Sequence, residues 1–403
     1  MRMKTRTFVK SLLTVGIVTA ISGTQAAELR VNGFASVVGG KTISDETLPS
    51  GSDSTFGVAP SFASNDSSSY DDDLSFKPET NIGLQLSSDL GSGLSVVAQL
   101  TAVGANDFDA EAEWLYISYD VNSNFNLKGG KQRIPFYMYS DFLDVGYAYH
   151  WIRPPVDVYG SAFSSYEGVS GTYTSSLGNW DTSLMGYLGA SDSDEGTFGD
   201  IQLDSLWGIV LSGSNDWLQL RASYHTADVE AADVTGFGTQ PFAEGEEEGA
   251  WFASIGAMAN LGNFFIGAEI TRTGFDEVFA TGVSALVDGA GGIETGVDET
   301  NTWMITTGYR MGAWTPHISF SANASDYKAD DLDGNGITAA GSLANDEDSR
   351  ETWILGVRYD FHPSAALKVE YTDRSDESDN TFVTAFGKRR EVSTFAVGVD
   401  VIF

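Results

Sequence analysis

The chain has 403 residues, of which 56 are acidic and 22 basic, so its formal net charge is −34 at neutral pH. This excess of carboxylates argues against nucleic acid as a partner, because binding to phosphates needs a basic surface. The absence of cysteine excludes a fold held by disulfides. The 45 glycines, with aromatic residues at 12% of the chain, favour tightly turned strands over helices.

The first 27 residues have the pattern of a secretory signal peptide. Four basic residues precede Ser11, an apolar run follows, and the small residues around Ala26 and Ala27 suit a signal peptidase. The apolar run is shorter than the roughly 20 residues that a membrane-spanning helix requires. We therefore predict cleavage after Ala26 or Ala27, which leaves residues 28–403 as the mature barrel domain, with 18 basic and 56 acidic residues and a formal charge of −38.

The rest of the chain divides into segments in which apolar and polar side chains alternate with a period of two, the pattern of a strand with one apolar face. Sixteen such strands are predicted. They cover residues 28–44, 80–90, 94–104, 110–121, 125–137, 161–177, 180–191, 203–215, 217–231, 248–262, 263–275, 301–313, 314–328, 350–363, 364–377 and 390–403.

The connections between these strands are sorted by length. Short turns rich in Gly, Asn and Pro have the chemistry of tight hairpins. They lie at 90–93, 122–124, 178–179, 215–216, 261–263, 312–313 and 362–364. Long polar segments include 45–79, 192–202, 232–247, 276–300, 329–349 and 378–389. Short turns on one side and long loops on the other are typical of transmembrane barrels, whereas a soluble sandwich has no need of this sorting.

Individual strands show two chemically different faces. Within 350–363, Trp353 and Leu355 would face lipid while Arg358 and Asp360 would face the lumen. An Arg on the lipid face would cost about 2–4 kcal/mol at the bilayer midplane, so these charges indicate a wet interior. Sixteen strands enclose more space than side chains can fill, which predicts an aqueous pore.

Five tryptophans mark the ends of predicted strands, where an aromatic belt would lie at the membrane interfaces, although strand propensity alone also favours them. They are Trp180, Trp217, Trp303, Trp314 and Trp353.

The last strand ends the chain on Phe403, with Phe395 and Val397 on the same face and Asp400 on the other. This ending resembles the terminal signature of Gram-negative outer-membrane proteins. The predicted fold is therefore all-β, a transmembrane antiparallel barrel of 16 strands in the outer membrane of a Gram-negative bacterium, reached by export through the periplasm.

The third long connection, residues 136–160, is aromatic and less polar than the other loops. A loop that contains Phe142, Leu143 and Trp151 is expected to fold inward, away from open water. Together with the signal peptide, the loop rhythm and Phe403, it resembles the trimeric general porins of Gram-negative bacteria, whose third loop narrows the pore. The resemblance implies a homotrimer that lets small hydrophilic solutes and ions diffuse passively.

In that family, acidic groups on the loop face basic groups on the barrel wall, and the opposed charges create a transverse field. The acidic candidates here are Asp141, Asp144 and Asp157. The basic candidates are Arg30, Lys128, Arg133, Arg153, Arg221, Arg310 and Arg358. Each could equally be a solvated lumen residue. Because carboxylates outnumber basic groups, we expect a modest preference for cations.

A substrate-selective channel is the alternative. Several aromatic residues of the loop could form a stacking surface for carbohydrate, although packing of the loop against the wall explains them more simply. They are Tyr137, Tyr139, Tyr147, Tyr149 and Trp151.

A calcium-like motif occupies the predicted loop between 328 and 350. Asp331, Asp333 and Asn335 match the first ligand positions of an EF-hand loop, but Ser342 stands where a bidentate Glu is expected. A weak calcium site and a solvated turn are both compatible with this pattern, and no other cofactor is implied.

Acidic loop runs such as Asp71–Asp73 could also bind divalent cations that bridge to lipopolysaccharide, although such runs are usually just hydrated.

Barrel enzymes and adhesins are the competing classes. A hydrolase would need an activated nucleophile near one of the four histidines, and none has a supporting motif. They are His150, His225, His317 and His362. An adhesin would have a plugged barrel that conducts no ions.

Overall fold

The computed structural model describes residues 28–45, 70–160, 163–196, 199–232, 247–283, 293–331, 347–378 and 389–403. These residues form 16 antiparallel strands that pair in chain order and close into a barrel. The strands are β1 Leu29–Asp45, β2 Asn81–Gly91, β3 Leu94–Val103, β4 Ala110–Asn122, β5 Phe125–Arg133, β6 Ser165–Leu177, β7 Trp180–Gly196, β8 Gly199–Ser214, β9 Leu218–Ala232, β10 Glu247–Leu261, β11 Phe264–Val283, β12 Ile293–Tyr309, β13 Trp314–Asp331, β14 Glu347–His362, β15 Ala365–Ser378 and β16 Arg389–Ile402.

The first and last strands close the barrel. β1 pairs with β16 from Phe34 opposite Ile402 up to Asp45 opposite Val392. Beyond the Phe34–Ile402 pair, the Gly33 amide donates to the Phe403 carbonyl at 2.7 Å, and the Phe403 amide donates to the Gly33 carbonyl at 2.9 Å. Closure gives every strand two neighbours, which removes the unpaired edges that hydrocarbon does not tolerate.

The short turns join consecutive strands as predicted. Gly91, Gly178 and Gly312 have φ between +62° and +85°, a conformation that side chains with a Cβ rarely adopt. Elsewhere an Asn side chain holds the turn, as where the Asn215 carboxamide oxygen accepts from the amides of Trp217 and Leu218. The turns are therefore specified by local chemistry.

The two predicted faces are confirmed. Leu355 on β14 and Leu220 on β9 point outward and are 49% and 43% exposed, while Ser223 and His225 on β9 are buried inside. The outer wall is apolar enough to contact hydrocarbon, and the inner wall carries the polar and charged groups.

Several predicted strand bounds were wrong. β5 ends at Arg133, because Pro135 cannot donate to the ladder and the chain then turns into the lumen. β7, β11 and β12 run well beyond the predicted ends, with bulges in the added pairs of β11 and β12. The strand pairing therefore continues past the residues whose apolar alternation set the predicted bounds.

The prediction that five tryptophans lie at strand ends is only partly correct. Trp180 and Trp314 begin β7 and β13, and Trp217 lies in a turn. Trp303 and Trp353 lie well inside β12 and β14, because those strands extend past the predicted bounds. Both flank Phe320 on the outer face, with ring centroids at 5.1 and 4.7 Å. No helix among the described residues is both long and apolar enough to cross a membrane.

Two predictions fall outside the described residues. The signal peptide, residues 1–27, is one of them. The calcium-like motif is the other: Asp333 and Asn335 are not described, and of Asp331 only the backbone at the end of β13 is. Among the described residues, no group of three or more His, Asp or Glu could hold a metal ion.

Candidate functional site

The connection from β5 to β6 lies against the inner wall, and its described residues, 134–160 and 163–164, are called the inward loop. It contains two 3₁₀ turns, Ser140–Phe142 and Gly146–Ala148, and the short helix α1, Val156–Tyr159. Its contacts on the barrel are with side chains of the inner face, opposite the exposed apolar residues.

The first part of the loop is held by β9, β10 and β11. The Arg221 guanidinium donates to the Pro135 carbonyl at 2.8 Å. The hydroxyls of Ser223 and Ser254 both donate to the Phe136 carbonyl, at 2.9 and 2.8 Å. The Pro135 and Phe136 carbonyls, which have no strand partner after β5 ends, are thereby satisfied by the wall.

The second part of the loop is held by β12, β13 and β14. The Trp151 indole N–H donates to Ser319 Oγ at 2.8 Å, and Ser321 Oγ donates to Asp157 Oδ2 at 2.6 Å. Arg350 on β14 lies 3.8 Å from the other Asp157 oxygen, Oδ1. Asp157 is therefore a buried anchor at the start of α1, paired with a basic group on the wall.

Lys368 on β15 binds the middle of the loop. Its ammonium group donates to the Gly146 carbonyl at 2.6 Å and also to the Trp151 carbonyl, and lies 2.8 Å from Asp400 Oδ2 on β16. Ser36 on β1 donates to the other Asp400 oxygen at 2.6 Å. A charge that is fully buried needs such partners, and here the partners include two loop carbonyls.

Arg358 and Glu370 hold the backbone on either side of that point. Arg358 Nη1 donates to the carbonyls of Tyr147 and Tyr149, at 2.7 and 2.6 Å. The Ile152 amide donates to Glu370 Oε1 at 2.8 Å. The inward loop is thus fixed to the wall by hydrogen bonds over most of its length.

An apolar cluster fills the space between the loop and β6–β12. Tyr137, Tyr149 and Trp151 are buried in it, together with wall residues such as Leu206 and Phe252. These three aromatic side chains pack against their surroundings and offer no open stacking surface. Burial of this kind is the simpler explanation for the aromatic character of the loop.

The three acidic candidates of the loop have different environments. Asp144 forms an ion pair with Arg133, which lies 2.6 Å from Glu113 on β4 as well. Asp157 is buried as described above. Asp141 is exposed, and none of the ion pairs among the described residues includes it. Asp141 is therefore the loop carboxylate that meets the aqueous lumen.

The remaining basic candidates are dispersed. Lys128 on β5 lies over the ring of Tyr116 at 4.9 Å, and Arg310 lies near the β12–β13 turn over the ring of Phe265 at 4.9 Å. Arg30 is exposed near the start of β1. Arg153 is in the loop and lies near Glu79. The structure therefore brings Arg133, Arg221 and Arg358 into contact with the loop. Arg310 is separated from His150 of the loop by the Phe265 ring, which lies 4.7 Å from the His150 ring.

Residues just before β2 also pack into the lumen. Tyr70 packs with Val38 and with Ile152 of the inward loop, and its hydroxyl donates to Glu79 Oε2 at 2.6 Å. Burial raises the pKa of the Glu79 carboxyl above its ordinary value, and the Arg153 guanidinium opposes that rise. The sequence did not predict this contact, because residues 70–79 show no pattern that sets them apart from the rest of the 45–79 segment.

The histidines are engaged in local contacts. His150 Nε2 lies 2.9 Å from Thr306 Oγ1, and its ring lies 4.7 Å from that of His317. Burial, followed by the nearby His317 and Lys368, lowers the pKa of His150 well below its ordinary value. His225 Nδ1 lies 2.7 Å from the Tyr187 hydroxyl.

The sequence did not predict five charged partners of the loop, namely Glu113, Arg350, Lys368, Glu370 and Asp400. Each occupies a strand, and the alternation along β14, β15 and β16 already places Arg350, Lys368 and Asp400 on the inner face. A charged residue at an inward-facing strand position was therefore the sequence feature that could have identified these partners. The sequence does not show that the loop lies against such a residue.

An opening remains between the inward loop and β6–β9. It forms a cavity of about 590 Å³, lined on one side by Met138, Tyr139 and Phe142 of the loop and on the other by polar residues of the wall. A closed barrel that spans a membrane, with a loop folded inside and an aqueous cavity beside it, has the architecture of a channel.

The sequence matches the family model of Gram-negative porins over residues 13–380, and the chain belongs to that family. It is an outer-membrane channel protein of Gram-negative type. No curated protein matches the chain.

Solved structures share the fold at low sequence identity. The outer-membrane channel DcaP of Acinetobacter baumannii is 14% identical with a TM-score of 0.55, over 96% of this chain and 100% of that one. An anion-selective porin from Comamonas acidovorans is 12% identical with a TM-score of 0.52, over 94% and 100%. OmpT of Vibrio cholerae, folded in vitro, is 10% identical with a TM-score of 0.51, over 96% and 100%.

Proposed function

We propose that the protein is a porin for passive diffusion of small hydrophilic solutes and ions, with a modest preference for cations. The observation that carries the proposal is the open cavity beside the inward loop, inside a closed barrel with an apolar outer wall. Family membership supports a channel that catalyses no reaction.

The preference for cations rests on how the charges are paired. Arg133, Arg350 and Lys368 each lie beside carboxylates, so their charges are offset within the protein. Asp141 is exposed at the edge of the loop, and the chain has a large excess of acidic residues. Uncompensated carboxylates along a pore attract cations and repel anions.

Family membership also supports export and assembly. We propose that residues 1–27 are removed as a signal peptide and that three copies of the chain assemble in lipid and lipopolysaccharide. Acidic external residues such as Asp71–Asp73 would bind divalent cations between the protein and lipopolysaccharide phosphates.

The test is a planar-bilayer recording with the purified protein under a KCl gradient. We expect an ion current with a reversal potential that favours K⁺. A unit charge about 8 Å away in water stabilises a cation by about 0.5 kcal/mol and destabilises an anion by as much, and screening by about 0.1 M salt roughly halves both effects. Asp141→Asn should therefore lower the cation-to-anion permeability ratio by about twofold. A barrel that carries no current would refute the channel, and anion preference in the unmodified protein would refute the charge argument.

The matched control is Asp216→Asn, which removes one exposed carboxylate in the β8–β9 turn. Both variants change the net charge equally. A reversal potential that shifts as much for Asp216→Asn as for Asp141→Asn would show that overall charge, and not the position of Asp141, sets the preference.

A further inference from the structure

The wall of the cavity beside the inward loop consists of two rows of polar side chains in register across β6–β9. In the first row, Thr174 pairs with Ser183, Ser183 with Ser212, and Ser212 with Arg221. In the second row, Ser176 pairs with Asp181, Asp181 with Ser214, and Ser214 with Gln219. We call these two rows the hydroxyl wall.

The hydroxyl wall faces the lumen. Arg221, at the end of the first row, reaches the Pro135 carbonyl of the inward loop. Residues one position away in the same strands, Tyr173, Leu184 and Leu211, form a row of their own and are 49–56% exposed on the outer face. Since side chains alternate along a strand, both polar rows lie on the inner face.

The charge of the wall is balanced. Its only two charged residues are Asp181 and Arg221, one of each sign, and the other six offer hydroxyl or carboxamide groups. A wall of this kind gives neither an anion nor a cation a net attraction. Hydroxyl groups both donate and accept hydrogen bonds, and so does a carboxamide.

The opposite side of the cavity is apolar and aromatic. It is formed by Met138, Tyr139 and Phe142 of the inward loop. The rings of Tyr139 and Phe142 meet edge to face at 5.6 Å, and Phe142 is 36% exposed. Tyr137, Tyr149 and Trp151 are buried in the cluster against the wall, and Tyr139 packs partly against that cluster, so Phe142 is the ring of the cavity lining that is most open to the water.

We propose that this cavity is a binding subsite for a neutral polyhydroxylated solute, of the sugar class. The apolar C–H face of a sugar ring packs on Phe142 and Tyr139, while its hydroxyls exchange hydrogen bonds with the hydroxyl wall. The cavity of about 590 Å³ falls within the range of about 300–1,000 Å³ typical of small-molecule sites. The proposal rests on the proposed channel function and names a substrate class for it.

The test uses the purified full-length protein in planar bilayers, with maltotriose as a neutral sugar and polyethylene glycol of similar size as an inert solute. Maltotriose should reduce the ion current with a saturable dependence on concentration, whereas polyethylene glycol should reduce it without saturation. Loss of the aromatic contact in Phe142→Ala should raise the half-blocking concentration of maltotriose about five- to tenfold.

Tyr173→Ala is the matched control, because it removes an aromatic ring from the outer face of β6, next to Thr174 of the wall. It should leave the half-blocking concentration of maltotriose as it is in the unmodified protein. Ser212→Ala, which removes one hydroxyl of the wall, should raise that concentration.

The outcomes separate the two proposals. If maltotriose reduces the ion current without saturation, as polyethylene glycol does, the sugar subsite is overturned and the channel function is left intact. Saturable block that is unchanged in Phe142→Ala would place sugar binding elsewhere and overturn this site. Absence of any ion current would overturn the channel function and the subsite together.

Discussion

Lys368 is a single residue that fixes the inward loop to the barrel wall through several contacts. Its side chain is fully buried, and its ammonium group contacts two loop carbonyls and the Asp400 carboxylate. A buried charge contributes little net stability while it is paired, but removal of one partner leaves the other charge uncompensated. The Lys368–Asp400 pair therefore acts mainly to position the loop. Loss of Lys368 would leave the Asp400 carboxylate buried without a positive partner.

Lys368→Met keeps much of the side-chain volume and removes the charge. We expect the free energy of unfolding in lipid vesicles to fall by about 3–5 kcal/mol in a urea titration. Single-channel currents should become noisier, because the Gly146 and Trp151 carbonyls lose their donor. The double variant Lys368→Met with Asp400→Asn should recover part of the stability, since no unpaired charge remains. Equal stability of Lys368→Met and the unmodified protein would contradict this account.

Individual strands sort their side chains between two solvents. On β7, Leu184 lies in an outer row with Tyr173 and Leu211, and its neighbour Ser183 lines the cavity inside. The same strand thus meets hydrocarbon and water through adjacent residues. The predicted bounds of β7, β11 and β12 depended on this apolar alternation, whereas backbone pairing does not require it, so the strands extend beyond their predicted ends.

Arginine at two adjacent positions of β7 should have opposite consequences. Leu184→Arg places a charge in lipid and should lower the free energy of unfolding by up to about 2–4 kcal/mol, depending on depth. Ser183→Arg places the same charge in the aqueous lumen, so the free energy of unfolding should change little. The reversal potential of this variant should shift in the direction of anion preference. Urea titrations in vesicles and bilayer recordings measure the two effects. Similar unfolding energies for both variants would contradict the assignment of the faces.

The whole molecule depends on closure between its first and last strands. β1 and β16 meet where Gly33 and Phe403 exchange two backbone hydrogen bonds. The ring of Phe403 lies over Gly33, at a position where a Cβ would collide with it. Glycine at residue 33 therefore allows the terminal aromatic ring to cover the seam between β1 and β16.

Deletion of Phe403 should weaken the seam, because it removes both hydrogen bonds, each worth about 1 kcal/mol net. Phe403→Ala keeps the backbone pair and removes only the ring. We expect the folded barrel to unfold in detergent at a lower temperature for the deletion than for Phe403→Ala, as judged by the shift of the folded band on unheated gels. Identical behaviour of the two variants would show that the backbone pair contributes nothing to closure.

Much of the fold follows from local patterns. Period-two alternation and turn chemistry involve residues close together in sequence, and they predicted the 16 strands and their faces. The inward position of the loop was expected from its aromatic side chains and from the family resemblance. Asp144 and Arg133, which form an ion pair, were both among the candidates because they lie in or beside that loop.

The partners of the loop were decided only by the tertiary structure. Lys368 contacts Gly146 and Trp151 across 222 and 217 positions of sequence, and Ser321 contacts Asp157 across 164. Strand order brings these residues onto one inner wall, but the path of an irregular loop across that wall depends on packing among distant side chains. The sequence by itself determined that this chain is a barrel between lipid and water. The tertiary structure decided which charges hold the loop and which side chains face the cavity, because those contacts join residues that are far apart in sequence.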